Sequence, residues 1–431
     1  MSESIHYSKF RWIALVGAFI VNVCAGMNLL SFAPIMGVIA EDLKIDLGTA
    51  SFGFMGLGNL AMSVAILIAG FLIDRFGMFP VVICSIVFQT LANFSFLPFG
   101  HSYQSALILR ILEMVVIAPT FIFCGPMVAV WFPSKEISIA NAIGFCGTGI
   151  GIMLGLNLVP ILTQYTDSWQ FGMAGLSVGG FVTLLVIISV SILSKRYQPL
   201  TLQSKNLATN DLKIDIKKQI LANPMFWIGT VITVTYTWST QMFNDLSPAY
   251  LAVPPPTGID LGPVISGKLS SIVSFSGIIS ALFAGFLVDK VFRGNNQIVI
   301  MIGMIIGIVF YPTIMISGVY SHIPILIVCL LITGAVTPFV GPTTVSYASK
   351  NFAPSVIGRV IGMWMFLGNV GGAAGIMVGS IALRSTGNYN LSIAIAVIFL
   401  ILGLFTSFFL KNQTTTESII EVKSFFRKTC K

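Results

Sequence analysis

Apolar residues run in uninterrupted blocks of about 20 along this chain, each closed by a short polar or glycine- and proline-bearing break. Blocks of that length, with no alternation of apolar and polar positions, predict helices that cross a bilayer core of about 30 Å; a barrel would show alternating segments of about 10 residues. Twelve such helices are expected, at roughly 12–38, 50–73, 79–99, 103–130, 139–162, 172–193, 226–251, 264–288, 296–317, 323–346, 356–381 and 389–410. One polar, Lys-rich stretch, 194–224, leaves six on each side. The fold class that follows is an all-α membrane protein with twelve transmembrane helices in two six-helix bundles. Its parts are an N-terminal segment 1–11, a first bundle 12–193, a linker 194–224, a second bundle 225–410 and a tail 411–431.

Composition gives the same answer. Of the 431 residues, 56% are hydrophobic and 9% charged, against roughly 25% charged in soluble domains. A chain this apolar takes the bilayer as its solvent and satisfies its backbone within each span. The net charge of +8 could point to nucleic acid, but its distribution does not. With the N-terminus inside, 19 Lys and Arg fall in cytoplasmic segments and two, Lys44 and Arg384, in outer loops. That bias predicts cytoplasmic termini and no nucleic-acid partner. The first apolar run is too long for a signal-peptide core. Short loops and the many Ile, Asn and Lys residues favour a bacterial inner membrane, with the chain acting as a monomer.

Enzyme chemistry finds no footing. His6, His101 and His322 lie far apart, no Cys pair has metal-ligand spacing, and no phosphate-cradling loop of the P-loop type is present. No metal, cofactor or catalytic group is therefore expected, nor any hydrolysis of ATP.

An internal repeat organises the chain. Gly70-Phe-Leu-Ile-Asp74-Arg75-Phe-Gly77 ends the second predicted span and returns, altered, as Gly285-Phe-Leu-Val-Asp289-Lys290-Val-Phe-Arg293 at the end of the eighth. An offset of 215 positions separates Asp74 from Asp289, and an alanine precedes each glycine. The octet, Arg110 early in the fourth span, and the glycines of the fifth (Gly144, Gly147, Gly149, Gly151, Gly155) together resemble the major facilitator superfamily of secondary transporters, over about 12–410. Two departures stand out: Met78-Phe79-Pro80 replaces the usual basic pair after the octet, and the second copy lacks the last glycine. Trp131-Phe-Pro133 with Lys135-Glu136, preceded by Glu113 and Pro119, is similar to the anion:cation symporter branch and in part to heme/choline-type carriers, although the first span has no charge.

The resemblance implies a gating role for Gly70, Asp74, Arg75, Gly77, Gly285, Asp289 and Lys290. Asp74 would accept hydrogen bonds at the positive start of helix 11 and latch the two bundles on the cytoplasmic side; the alternative is a plain tight turn. The glycines of spans 5 and 11 either pack helices statically or form surfaces on which the bundles rock.

Ionisable groups inside a membrane are functional candidates. Arg110 and Glu113 stand three apart on one helical face and can pair. Burial opposes a charge on Glu113 and Arg110 favours it, so Glu113 could exchange a proton; a structural pair is the alternative. Asn28, Tyr236, Trp238, Gln241, Asn244, Asp245, Trp364 and Asn369 are candidate substrate contacts, on helices that by resemblance line a central cavity. Aromatic rings with a few amides suit a small polar or amphipathic solute. The function expected is secondary active transport of a small organic solute by alternating access, coupled to protons, with organic anions among the candidates. The alternatives are an uncoupled facilitator or exchanger, and a sensor that keeps the fold but moves nothing.

Overall fold

The computed structural model describes residues 9–133, 136–197, 220–352 and 356–410, and contains no strand among them. Twelve long helical segments follow in order: α1 Phe10–Asp42, α2 Leu47–Phe76, α3 Met78–Phe99, α4 Tyr103–Trp131, α5 Ile137–Thr166, α6 Trp169–Ser194, α7 Pro224–Ala252, α8 Gly262–Phe286, α9 Asn296–Met315, α10 Ile323–Asn351, α11 Ile357–Thr386 and α12 Asn390–Ser407. Eleven are long and apolar enough to cross a membrane. The twelfth, α7, is 29 residues long. Its centre is diluted by threonine, serine and amide side chains. Most of the linker (198–219), the tail from 411 and residues 1–8 lie outside the described residues.

The two halves repeat one packing plan. In the first, α1 packs on α5, α2 on α4 and α3 on α6; in the second, α7 packs on α11, α8 on α10 and α9 on α12. The turns into α5 and α11 also match. Phe132 (φ −108°, ψ 145°) and Phe352 (φ −119°, ψ 148°) are both extended, and each is followed by a 30-residue helix.

Small residues set the closest of these contacts. Gly147, Gly151 and Gly155 of α5 lie against the backbone carbonyls of Phe19, Val23 and Met27 on α1, where a Cβ would collide. On α11, Gly375 lies on the Trp238 carbonyl of α7, while Gly368, Gly371, Gly372 and Gly379 seat the α7 side chains of Thr233, Val234, Gln241 and Met242. Most of the glycine ladder thus packs helices within a bundle. Gly149, which faces Ile278 of α8, is the member that looks across to the other bundle.

Most of the remaining close contacts between the bundles lie toward the end away from the octet. Gly37 of α1 seats Val253 beyond α7, Gly56 of α2 seats Met377 of α11, and Gly267 of α8 lies on the Leu156 carbonyl of α5. Asn157 Nδ2 donates to Ser271 Oγ at 2.6 Å across the α5–α8 contact. Asp46, which caps α2, stands 3.8 Å from Arg384 of α11. The 252–263 loop folds back over this face through Ile259 N to Tyr250 O, Asp260 N to Val253 O and Leu261 N to Leu251 O. At the other face, which carries the octet, Gly70, Gly285, Gly358 and Gly362 have open space beside them. Among the described residues, the named contacts between the bundles thus gather toward the end away from the two octet copies.

Both octet turns use a positive φ, reached differently. Gly77 (φ +86°) stops α2 directly, and its N–H closes on Ile73 O at 2.9 Å. In the second copy α8 passes into a π-turn, Leu287–Val291, and the reversal falls on Gly294 (φ +88°). The wider turn delays the reversal, so the glycine missing at the repeat position reappears two residues later.

Candidate transport site

Arg110 is the hub of the first bundle. It is fully buried, as is Glu113. Its Nη1 donates to Glu113 Oε2 at 2.8 Å and to the Asn28 carbonyl at 3.0 Å; Nε donates to the Phe54 carbonyl at 3.0 Å and Nη2 to the Leu29 carbonyl at 3.2 Å. The guanidinium also lies 4.5 Å from the Phe32 ring centroid.

These carbonyls are free for a local reason. The Pro34 ring crowds the turn before it, α1 breaks after Leu29, and the chain resumes as a 3₁₀ turn, Ala33–Ile35, in which Ala33 N–H turns to Leu30 O and leaves the Leu29 carbonyl without its helical donor; Asn28 O also accepts from Ser31 Oγ. Phe54 lies in a π-turn of α2, Phe52–Leu57, where the regular ladder is also interrupted. Arg110 supplies the missing donors at both interruptions. Its fork is taken up by structure, with Glu113 as the counter-charge.

An amide network extends inward from this pair. Asn93 Nδ2 donates to Asn28 Oδ1 at 2.8 Å, and Asn28 Nδ2 to the Cys24 carbonyl at 2.8 Å. Gln89 Nε2 reaches the same carbonyl at 3.4 Å. Asn28, one of the expected substrate contacts, is thus occupied in packing. Gln89 and Asn93 were missed by sequence reasoning; two amides four apart in an otherwise apolar span were the signal.

On α7 the hydroxyls hold helices together. Thr237 Oγ1 donates to Gly368 O of α11 and Ser239 Oγ to Ala396 O of α12, both at 2.7 Å. Gln241 Nε2 reaches Asn369 Oδ1 at 3.2 Å, joining two of the expected contacts. Trp238 stacks face to face on Phe399 at 4.1 Å. Trp364 sits elsewhere, at the octet end, donating to the Phe226 carbonyl at 2.9 Å and stacked with Phe226. Tyr236 and Asn244 are half-buried on α7.

Three buried polar atoms on α7 have no hydrogen-bond partner: Trp238 Nε1, Gln241 Oε1 and Asp245 Oδ1. Their residues are spaced three and four apart, along one side of the helix. Glu113 Oε1 is likewise unpartnered.

Of the gating candidates, Asp74 and Arg75 are exposed at the end of α2, with Arg75 over the Phe76 ring at 5.3 Å. Asp289 lies in the π-turn, with Gly285 and Lys290 exposed beside it. Residues 353–355, just before α11, are outside the described residues.

Two similar helical bundles that repeat one packing plan are the architecture of carriers that expose a midplane site to each side in turn. The Major Facilitator Superfamily model matches residues 18–375 and again 257–428, and the chain belongs to that family. It is 20% identical over 428 residues to the 4-hydroxybenzoate transporter PcaK of Acinetobacter baylyi, covering 91% of this chain and 89% of that one. It is 22% identical over 390 residues to the probable galactarate/D-glucarate transporter GarP of Escherichia coli, covering 84% and 85%. Its fold is similar to a bacterial homolog of the human lysosomal transporter Spinster in an inward-facing, occupied conformation. There the TM-score is 0.71 at 10% identity, covering 94% of this chain and 97% of that one. The protein is an integral multi-pass membrane transporter, not an enzyme.

Proposed function

We propose that the protein is a proton-coupled secondary transporter of a small organic solute, with organic acids the first class to test. The observation that carries this reading is the row of unpartnered polar atoms on α7. A buried polar atom left without a partner is costly, and a solute or a proton arriving there relieves that cost. The names of the relatives, 4-hydroxybenzoate and galactarate/D-glucarate transporters, favour organic acids.

The excess of Lys and Arg in the segments on the octet side makes that side cytoplasmic. Bundle contacts that gather away from that side then describe an inward-open state, with Asp74 released from its latch to α11. Closing that side brings Asp74 to the start of α11 while the opposite seal opens. The bundles are 12–193 and 225–410; most of the stretch between them lies outside the described residues. The Arg110–Glu113 pair serves as scaffold for the first bundle, and the α7 row takes the solute.

The test is uptake by proteoliposomes of labelled 4-hydroxybenzoate, D-glucarate, amino acids, sugars and choline-like amines, with and without an inward proton gradient. Uptake of an organic acid that rises with the gradient is expected. Accumulation indifferent to the gradient for every solute would make the protein an uncoupled facilitator.

A further inference from the structure

We propose that Asp245 is the proton-binding group of the carrier: its carboxylate takes a proton from water in one conformation and returns it in another. This rests on the proton-coupled reading above, and replaces Glu113 as the expected proton carrier.

The two buried acids differ in what surrounds them. Glu113 holds Arg110 at 2.8 Å, and that guanidinium is fixed by three carbonyls, so a matched charge stays beside it. Asp245 is 4% exposed and has no ion-pair partner among the described residues, where the pairs are Arg11–Glu136, Arg110–Glu113 and Arg384–Asp46. Its Oδ1 has no hydrogen-bond partner. A carboxylate kept out of water without a paired cation is strongly disfavoured, and the neutral acid is the form such a site holds.

The other charged and titratable groups around α7 do not alter this balance. α1 brings Glu41, exposed, and Asp42, which accepts from Trp169 and Gln170. α11 brings Arg384, beside Asp46, and Arg359, exposed. α8 brings Lys268, exposed. Tyr389 stands just before α12, α9 carries Tyr311 stacked on Phe243, and α10 carries Tyr347 beside Met225 and Lys350, whose ammonium is held by Asn296.

Position supplies the switch. Asp245 lies eight residues before Val253, about 12 Å along the helix from the sealed face. There the end of α7 packs on the last turns of α1. Parting that seal admits water to Asp245 and lets the carboxylate ionise; re-forming it requires the proton. Proton uptake at Asp245 is thus tied to closure of the same face that admits solute.

The experiment is an infrared pH titration of the full chain in liposomes over about pH 5 to 9, reading the carbonyl stretch of a protonated carboxylic acid. At neutral pH the band is expected in the wild type and in Glu113→Gln, and lost in both Asp245→Asn and Asp245→Ser. Either substitution that stays monodisperse suffices. Persistence of the band in the Asp245 variants, its loss in Glu113→Gln, or its absence from the wild type would overturn the assignment. Uptake is read separately. A wild type that shows the band but ignores the gradient would defeat the coupled-transport reading while leaving the protonation of Asp245 established.

Discussion

Arg110 illustrates how far a single residue can be read. Its place in the fourth span and its partner Glu113 were legible, because three residues apart is one face of a helix. Its three carbonyl partners were not: Pro34 marks a break in α1, but which carbonyls it leaves to Arg110, and the π-turn at Phe54, depend on how α1, α2 and α4 pack. The geometry predicts a stability role. Arg110→Ala leaves Glu113 uncompensated and strips donors from two helix interruptions, a loss of about 3–5 kcal/mol. Glu113→Gln keeps an acceptor for Nη1 and should cost less. Thermal unfolding of the two purified variants checks this ranking; equal stability of Arg110→Ala and wild type would refute the scaffold role.

The α7 row belongs to the same scale. Trp238, Gln241, Asn244 and Asp245 were singled out because aromatic, amide and acid groups are out of place in a span. Which of them were spent on packing could not be read, because that depends on where α11 and α12 lie. Gln241→Ala should weaken solute binding at least several-fold and give up, in packing, the one 3.2 Å bond from Nε2 to Asn369, since Oε1 has no partner. Solute-dependent thermal stabilisation measures this.

At the scale of elements, small residues decide which helices touch. Gly151 and Gly155 admit the α1 backbone so closely that Leu at either position forces the helices apart. Folding yield should fall sharply for Gly151→Leu. Gly358→Ala, which opens onto space, should fold normally. Size-exclusion profiles separate these outcomes. The glycine ladder was plain in the sequence, but its bias toward packing within each bundle needed the neighbours to be known.

The start of α2 offers a pH test. Burial works against the Asp46 carboxylate, but the Thr49 hydroxyl and N–H and the Arg384 charge outweigh it, holding this group below the ordinary carboxylate value. A group lowered in the folded state contributes stability above the unfolded value, near about 4, and loses it as pH falls through its own lowered value. Asp46 is half exposed, so the effect is small. Asn also caps a helix, so wild type and Asp46→Asn should differ slightly above about pH 4 and converge in stronger acid. Parallel unfolding curves across the whole range would remove Asp46 from this contact.

At the scale of the molecule, the duplication, the twelve helices and the family were all carried by the sequence, because bilayer thickness fixes the length of each span and the octet recurs at a fixed offset. The conformation was not legible, since one sequence serves both end states and only contacts between bundles tell them apart. The central claim is that the two faces open in turn. Distances between spin labels test it without a known solute: Lys44→Cys with Ser385→Cys reports the sealed face, and Phe76→Cys with Arg359→Cys the octet face. Across pH and the solute panel, alternating access predicts two populations whose changes are reciprocal, one pair lengthening as the other shortens. A single fixed distance for each pair under every condition, or two pairs that lengthen together, would contradict it.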